Sequence, residues 1–364
     1  MYRENSQNTS SNKKEYVTVS RITALWAFSE AAFGGVLHAL KIPFTGLFIG
    51  GTAVIFLSLI AHFSSRKATI IQSTLVVILI KGIVSPYTPL NAYFSVFLQG
   101  ISAYLLFSFI SNMKISSFIL GIITLSFSAF QKVFVLTVVF GNTLWKSIDT
   151  FGHYVSAQFL ISDSSNNFQL SYILIGIYGA LHLIGGIVFG IIAGKSQDWN
   201  YKNSHKADEY NKLLLRKDEK INILPTKKKN EKVWWKNTST IIIGLFSAAM
   251  IAISYLNPQL DENLAFQILI MIVRSIVITY VWFGLLAPVI IKWVKKYLLK
   301  KKSEYSKEIN QILVLFPYFK GIINYSWEET KSLKNYHRIL PFFKNSFILL
   351  LTADIDSYEE SNSI

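Results

Sequence analysis

The sequence predicts an all-α integral membrane protein: a six-helix N-terminal transmembrane bundle, two further transmembrane helices and cytoplasmic amphipathic helices. Hydrophobic residues make up 51% of the 364 residues and charged residues only 16%, and the mean hydropathy is +0.38. A soluble domain carries about 25% charged residues. The apolar residues also form runs of roughly 20, the length that crosses a bilayer as a helix. Because the sequence has no cysteine, disulfides and thiol chemistry are excluded.

The elements follow in order along the chain. Residues 1–18 are polar and predict a cytoplasmic tail rather than a cleavable signal. Residues 19–195 form the predicted six-span bundle, with spans at about 19–40, 45–63, 68–85, 91–112, 116–141 and 169–193. Residues 196–238 are a basic cytoplasmic linker, and 239–291 hold two further spans at about 239–256 and 264–291. Residues 292–364 form a basic, amphipathic cytoplasmic tail that lies on the inner membrane face, against a partner or packed on itself.

The distribution of basic residues predicts the orientation. Lys13, Lys14, Arg66, Lys67 and Lys114 fall on one side of the predicted spans, together with the basic stretches 195–236 and 292–302. By the positive-inside rule this side is cytoplasmic. The pattern therefore predicts a multi-pass protein of the plasma (inner) membrane with cytoplasmic N- and C-termini. The net charge of +15 lies between apolar runs, which favours contact with membrane lipids and not with nucleic acid.

Three loops are predicted on the outer side: 41–45, the hairpin within "KGIVSPYTPLNAYFSVFLQG" and the long loop 142–168. Prolines reduce the entropy lost when a loop is ordered, and aromatic side chains offer rigid apolar faces. We expect these loops to cover a pocket for a flat, partly apolar small molecule. For any single aromatic residue, the alternative is a place in the interfacial belt. The candidate substrate-binding residues are His38, Lys81, Tyr87, Tyr93, Trp145 and His153.

Ionisable residues inside predicted spans are functional candidates, because a charge at membrane depth is costly without a partner. Glu30 lies in the first span, Lys81 near the outer end of the third and Arg274 in the last. Charge alone suggests that Glu30 is a possible partner of Arg274.

Six spans with both ends inside, small residues at four-residue spacing in "ALWAFSEAAFGG" and a proline in the first outer loop resemble one known family. This family is the substrate-binding S component of energy-coupling-factor vitamin transporters. The resemblance covers residues 19–195 and leaves the C-terminal half unmatched. It implies that Ala27, Ala31, Gly34 and Gly35 form a face for a transmembrane coupling subunit, and that an ATPase is a further partner. A fused partial coupling module in the C-terminal half has no supporting arginine motif.

No GxxxxGK[ST], HExxH or GxSxG motif occurs in the sequence. We therefore expect no enzymatic activity, no cofactor and no metal, and an energy source outside this chain. The predicted function is capture of a small vitamin-like nutrient from the outer side, for uptake driven by a separate ATPase. Two alternatives stay open. One is a membrane enzyme acting on a lipid or polyprenyl substrate, with His38, Lys81, Asp149, His153 and Asp163 on the outer side, and the other is a scaffold that recruits partners through its basic tail.

Overall fold

The computed structural model describes residues 2–33, 44–84, 90–159, 169–202, 264–286, 305–333 and 335–352, with the short pieces 288–289, 292–293 and 296–297. Within these ranges the chain is almost entirely helical and contains no strand. This part of the chain confirms the predicted all-α class.

The helices are α1 (Tyr2–Phe28), α2 (Thr45–Phe63), α3 (Ala68–Val84), α4 (Leu90–Phe109), α5 (Met113–Phe140), α6 (Asn142–Phe159), α7 (Leu170–Lys202), α8 (Leu264–Tyr280), α9 (Ser306–Glu329) and α10 (Ile339–Thr352). Helices α1 and α8 continue into π-helical turns, Ser29–Phe33 and Val281–Leu286. Two 3-10 turns, Thr330–Ser332 and Asn335–Arg338, lie between α9 and α10.

Four helices in the described part of the chain are long and apolar enough to cross a membrane: Thr45–Phe63, Asn91–Phe109, Met113–Phe140 and Leu170–Ser196. They match the predicted spans at 45–63, 91–112, 116–141 and 169–193. The apolar helices Ala68–Val84 and Phe266–Tyr280 are shorter. The span predicted at 239–256 lies outside the described residues, so the arrangement of six plus two spans stays a prediction.

The segment predicted as a cytoplasmic tail is helical from Tyr2, and α1 runs without a break to Phe28. Residues 2–18 contain neither proline nor glycine, so nothing in their sequence stops a helix. Glu15 Oε1 accepts hydrogen bonds from the Ser65 backbone N–H at 2.9 Å and the Ser65 hydroxyl at 3.0 Å. Part of the predicted tail is therefore attached to the turn that follows α2.

The described residues fall into two compact units, of which unit 1 lies within Met1–Leu125, Leu183–Leu224 and Leu299–Ile364. In unit 1, α1 packs against α2, α3, α9 and α10. The Phe28 and Phe319 rings meet edge to face with centroids 6.2 Å apart, and Phe56 and Phe347 are separated by the same distance. The C-terminal helices α9 and α10, for which the sequence left a membrane-surface, partner-bound or self-packing arrangement open, pack on their own chain. These amphipathic helices bury their apolar faces there, where they are removed from solvent.

Helices α5 and α7 approach backbone to backbone in unit 1. A Cβ atom on Gly190 would lie 2.8 Å from Phe118 Cα, and one on Gly186 would lie 2.7 Å from the Gly121 carbonyl oxygen. Only glycine permits this approach, as in other small-residue interfaces of membrane helices. The "LIGGIVFG" run is therefore used for helix packing.

Unit 2 lies within Ser126–His182 and Pro225–Leu298. It contains α6, so much of the predicted outer loop 142–168 is a helix. Leu144, Ile148, Phe151 and Val155 recur at spacings of three and four residues, which places them along one side of a helix. In unit 2, α6 packs against α8. The rest of the predicted loop, 160–168, lies outside the described residues.

Asp149 on α6 caps the N-terminus of α7. Its Oδ1 accepts from the Ser171 backbone N–H at 2.7 Å and its Oδ2 from the Ser171 hydroxyl at 2.9 Å. The first N–H groups of a helix have no partner within the helix, and a carboxylate there is favourable. Asp149, a candidate for lipid chemistry in the sequence, is placed as a structural cap.

We expect Asp149→Ala to reduce the free energy of unfolding by about 1–2 kcal/mol, because a charged cap is lost. The measurement is thermal unfolding of the purified full chain in mild detergent. Thr150→Ala is the matched control, because Thr150 is exposed on the same helix and its hydroxyl bonds only the Lys146 carbonyl one turn earlier. Equal shifts for the two variants would contradict the capping role.

Candidate functional site

The polar centre of unit 1 is a buried ion pair between α3 and the π-helical turn that follows α1. Lys81 Nζ lies 2.6 Å from Glu30 Oε2, and the two side chains are only 8% and 2% exposed. Each charge is expensive in an apolar interior, and the pair offsets part of that cost. Within unit 1 the partner of Glu30 is therefore Lys81, and the pairing of Glu30 with Arg274 suggested by charge stays a prediction. Lys81 donates to Glu30 at 2.6 Å, and its role in substrate binding stays a prediction.

Two polar atoms, one in this pair and one on a neighbouring residue of α1, have no hydrogen-bond partner among the described residues. They are Glu30 Oε1 and Trp26 Nε1, and both atoms are buried. Trp26 and Glu30 are four residues apart, about one helical turn, so a hydrogen-bond acceptor and a donor occupy neighbouring positions. A buried polar group without a partner is costly and requires an explanation. A small polar group that donates to Glu30 and accepts from Trp26 would satisfy both.

The local backbone fits this arrangement. Glu30 belongs to the π-helical turn Ser29–Phe33, and turns of this kind inside α-helices occur frequently at functional sites. The Ser29 and Thr52 hydroxyls are 2.9 Å apart, which ties the turn to α2. The ion pair ties the same turn to α3. Glu30 is therefore held from two neighbouring helices, as a binding residue requires.

The predicted substrate-binding residues are only partly described. His38 and Tyr87 lie outside the described residues. Tyr93 is half-buried on α4 in unit 1, the unit that also holds Lys81.

Trp145 and His153 lie on α6 in unit 2. The Trp145 indole N–H donates to the Thr137 hydroxyl at 3.0 Å, which joins α6 to the end of α5, and His153 is exposed. A single pocket formed by all six predicted residues therefore stays a prediction. Sequence reasoning missed Trp26, although its spacing from Glu30 in "ALWAFSE" was a usable signal.

The two described residues of the predicted coupling face, Ala27 and Ala31, lie in the interior of unit 1. Ala27 is fully buried and Ala31 is 6% exposed. Phe28, between them in sequence, packs on Phe319 of α9. Gly34 and Gly35 lie outside the described residues.

Arg274 lies in unit 2 at the end of α5. Gly141 follows that helix with a φ of 73°, and its N–H donates to the Thr137 carbonyl at 2.8 Å. A Cβ atom at Gly141 would collide with the Arg274 guanidinium. A cation is favourable near the unpaired carbonyl groups at a helix C-terminus, and Gly141 leaves room for it.

In the described ranges, no three histidine, aspartate or glutamate side chains gather as metal ligands. Comparison with protein-family models, curated proteins and solved structures finds no match to this chain. The site is therefore interpreted from its own chemistry, which is a buried ion pair with one donor and one acceptor left to bind.

Proposed function

We propose that this chain is a membrane subunit that captures a small vitamin-like organic nutrient from the outer side, for uptake driven by a separate ATPase module. The proposal includes eight spans, cytoplasmic N- and C-termini, the plasma (inner) membrane and a transmembrane coupling subunit as partner. The resemblance of residues 19–195 to the S components of energy-coupling-factor transporters implies the same arrangement.

The observation that carries the proposal is the Glu30–Lys81 pair with the unpartnered Glu30 Oε1 and Trp26 Nε1 beside it. Ionisable residues in membrane helices are rare, and they mark substrate and ion pathways. Lys81 lies in the last turn of α3, which is the outer end of that helix in the predicted topology. A ligand that reached this end of α3 from outside would meet the Glu30–Lys81 pair as its polar anchor.

The test is affinity purification of the tagged full chain from its native membrane in mild detergent, followed by mass spectrometry of proteins and small molecules. We expect an ATPase, a coupling subunit and one small molecule to accompany the chain. A preparation that carries only lipid in several detergents would contradict the proposal and favour the lipid enzyme or the scaffold.

Variants of the site test where that small molecule binds. Glu30→Gln and Trp26→Phe each remove one hydrogen-bonding group, and a bond to a charged group contributes about 1.5–3 kcal/mol. We therefore expect about 10- to 100-fold weaker retention of the molecule in Glu30→Gln and a smaller loss in Trp26→Phe.

Glu328→Gln is the control, because Glu328 is exposed and pairs only with Lys331 at 3.1 Å. Gel filtration of each variant separates loss of ligand from loss of fold. A folded Trp26→Phe variant and a folded Glu30→Gln variant that both retain the molecule at wild-type levels would move the binding site elsewhere.

A further inference from the structure

Unit 1 contains a cavity of about 420 Å³ that none of the residues discussed for substrate capture lines. It lies between α1, the turn that joins α2 to α3, the first half of α3 and the start of α9. Its volume is within the range of pockets that hold small ligands. In the predicted topology it opens at the cytoplasmic end of these helices, because Arg66 lines it.

Two carboxylates line this cavity, Glu15 from α1 and Glu308 from the first turn of α9. Glu15 Oε1 already accepts bonds from Ser65. Glu308 Oε2 is buried and has no hydrogen-bond partner among the described residues. A buried carboxylate oxygen without a donor is costly, so the Glu308 carboxylate at the wall of the cavity is one donor short.

The remaining lining restricts the ligand. The Thr23 hydroxyl donates to the Val19 carbonyl at 2.8 Å and lies 2.9 Å from the Ser73 hydroxyl, so these two hydroxyl groups bond each other. Val76 and Ile312 add buried apolar wall. The Glu308 carboxylate still lacks a donor, and a primary ammonium group supplies three N–H donors and a positive charge.

Arg66 gives the cavity a second charge of opposite sign. It is exposed where it lines the cavity, and a guanidinium binds phosphate oxygens well. Tyr16 and Tyr305 also line the cavity, and tyrosine is favoured where an apolar interior meets the polar membrane surface. Acceptors for an ammonium group and a donor for a phosphate thus occur in one cavity.

We propose that this cavity binds a phosphoethanolamine group, with the ammonium received by Glu308 and Glu15 and the phosphate by Arg66. The group has two sources: the head of phosphatidylethanolamine in the inner leaflet, or a free phosphoethanolamine. The site is separate from the Glu30–Lys81 pair and does not depend on the proposed uptake function.

The test is native mass spectrometry of the detergent-purified full chain with five probes: phosphatidylethanolamine, phosphatidylcholine, phosphatidylglycerol, phosphoethanolamine and ethanolamine. We expect at least tenfold greater retention of phosphatidylethanolamine than of the other two lipids. Phosphatidylcholine has no N–H donor and phosphatidylglycerol no ammonium. Displacement of phosphatidylethanolamine by free phosphoethanolamine at micromolar concentration would identify the soluble source, and retention of the lipid alone the membrane source.

Two variants locate the binding. Glu308→Gln should reduce retention of the amine probes at least tenfold, whereas Glu328→Gln, on the exposed face of the same helix, should not. Arg66→Gln should weaken phosphoethanolamine but leave binding of ethanolamine, which has no phosphate, unchanged. Gel filtration verifies that each variant is folded. Equal retention of all three lipids with no binding of phosphoethanolamine, or full retention by a folded Glu308→Gln variant, would overturn the proposal.

Discussion

Replacing Gly190 with leucine should separate α5 from α7 and prevent unit 1 from forming its native packing. The Cβ atom alone would lie 2.8 Å from Phe118 Cα, 2.9 Å from the Phe118 carbonyl oxygen and 3.1 Å from the Ser117 carbonyl oxygen. These are backbone atoms of a helix and cannot move aside as a flexible side chain can. Overpacking typically costs about 1–3 kcal/mol, and we expect more than about 3 kcal/mol here because two helix axes must move apart.

The measurement is the monodisperse fraction and the thermal midpoint of the purified protein in mild detergent. Gly179→Leu is the matched control, since none of the described residues comes within 4 Å of a Cβ atom at that position of the same helix. It should behave like the wild type. If Gly190→Leu were as stable as Gly179→Leu, the close approach of α5 and α7 would be wrong.

Replacing Lys81 with methionine should destabilise the chain by about 3–5 kcal/mol, because it leaves the Glu30 carboxylate buried without its counter-charge. The double variant Glu30→Met with Lys81→Met should recover most of that loss. A buried ion pair replaced by apolar side chains of similar volume is often neutral or stabilising. Unfolding of the wild type, of the single variants Lys81→Met and Glu30→Met, and of the double variant forms a double-mutant cycle that isolates the interaction.

Lys331→Met is the control for this cycle. Lys331 pairs with Glu328 at 3.1 Å on the surface, where the side chains are 70% and 63% exposed, and exposed pairs contribute at most about 1 kcal/mol. Additive losses in the cycle, or a double variant as unstable as Lys81→Met alone, would contradict the buried pair. Recovered stability with no small molecule retained would indicate that the pair serves binding and not stability.

The length and hydrophobicity of apolar runs predicted the four described helices that are long and apolar enough to cross a membrane, because these properties are local. The helix α6 was missed for a reason that is also local: Lys146 and Asp149 interrupt its apolar residues, so it fails the test for a span. Leu144, Ile148, Phe151 and Val155 nevertheless have the three- and four-residue spacing of an amphipathic helix. This helical spacing within the segment 142–168 is sufficient to predict α6.

The site was predictable only in parts. The sequence marked Glu30 and Lys81 separately, because a charge inside a span needs a partner. Their pairing depends on the packing of α1 against α3, which no local pattern encodes. For the same reason the amphipathic character of α9 was predicted, whereas the packing of Phe319 on Phe28 was not.

The contact between the first and last parts of unit 1 can form only late in the synthesis of the chain. The Tyr16 hydroxyl donates to Gln311 Oε1 across a separation of 295 residues. At about 5–20 residues per second, a ribosome makes the second of these residues roughly 15–60 s after the first. Throughout that interval α1 lacks its neighbour α9, so lipid or an insertion factor must shelter its apolar face. A chain released before residue 306 would keep that face of α1 permanently without α9.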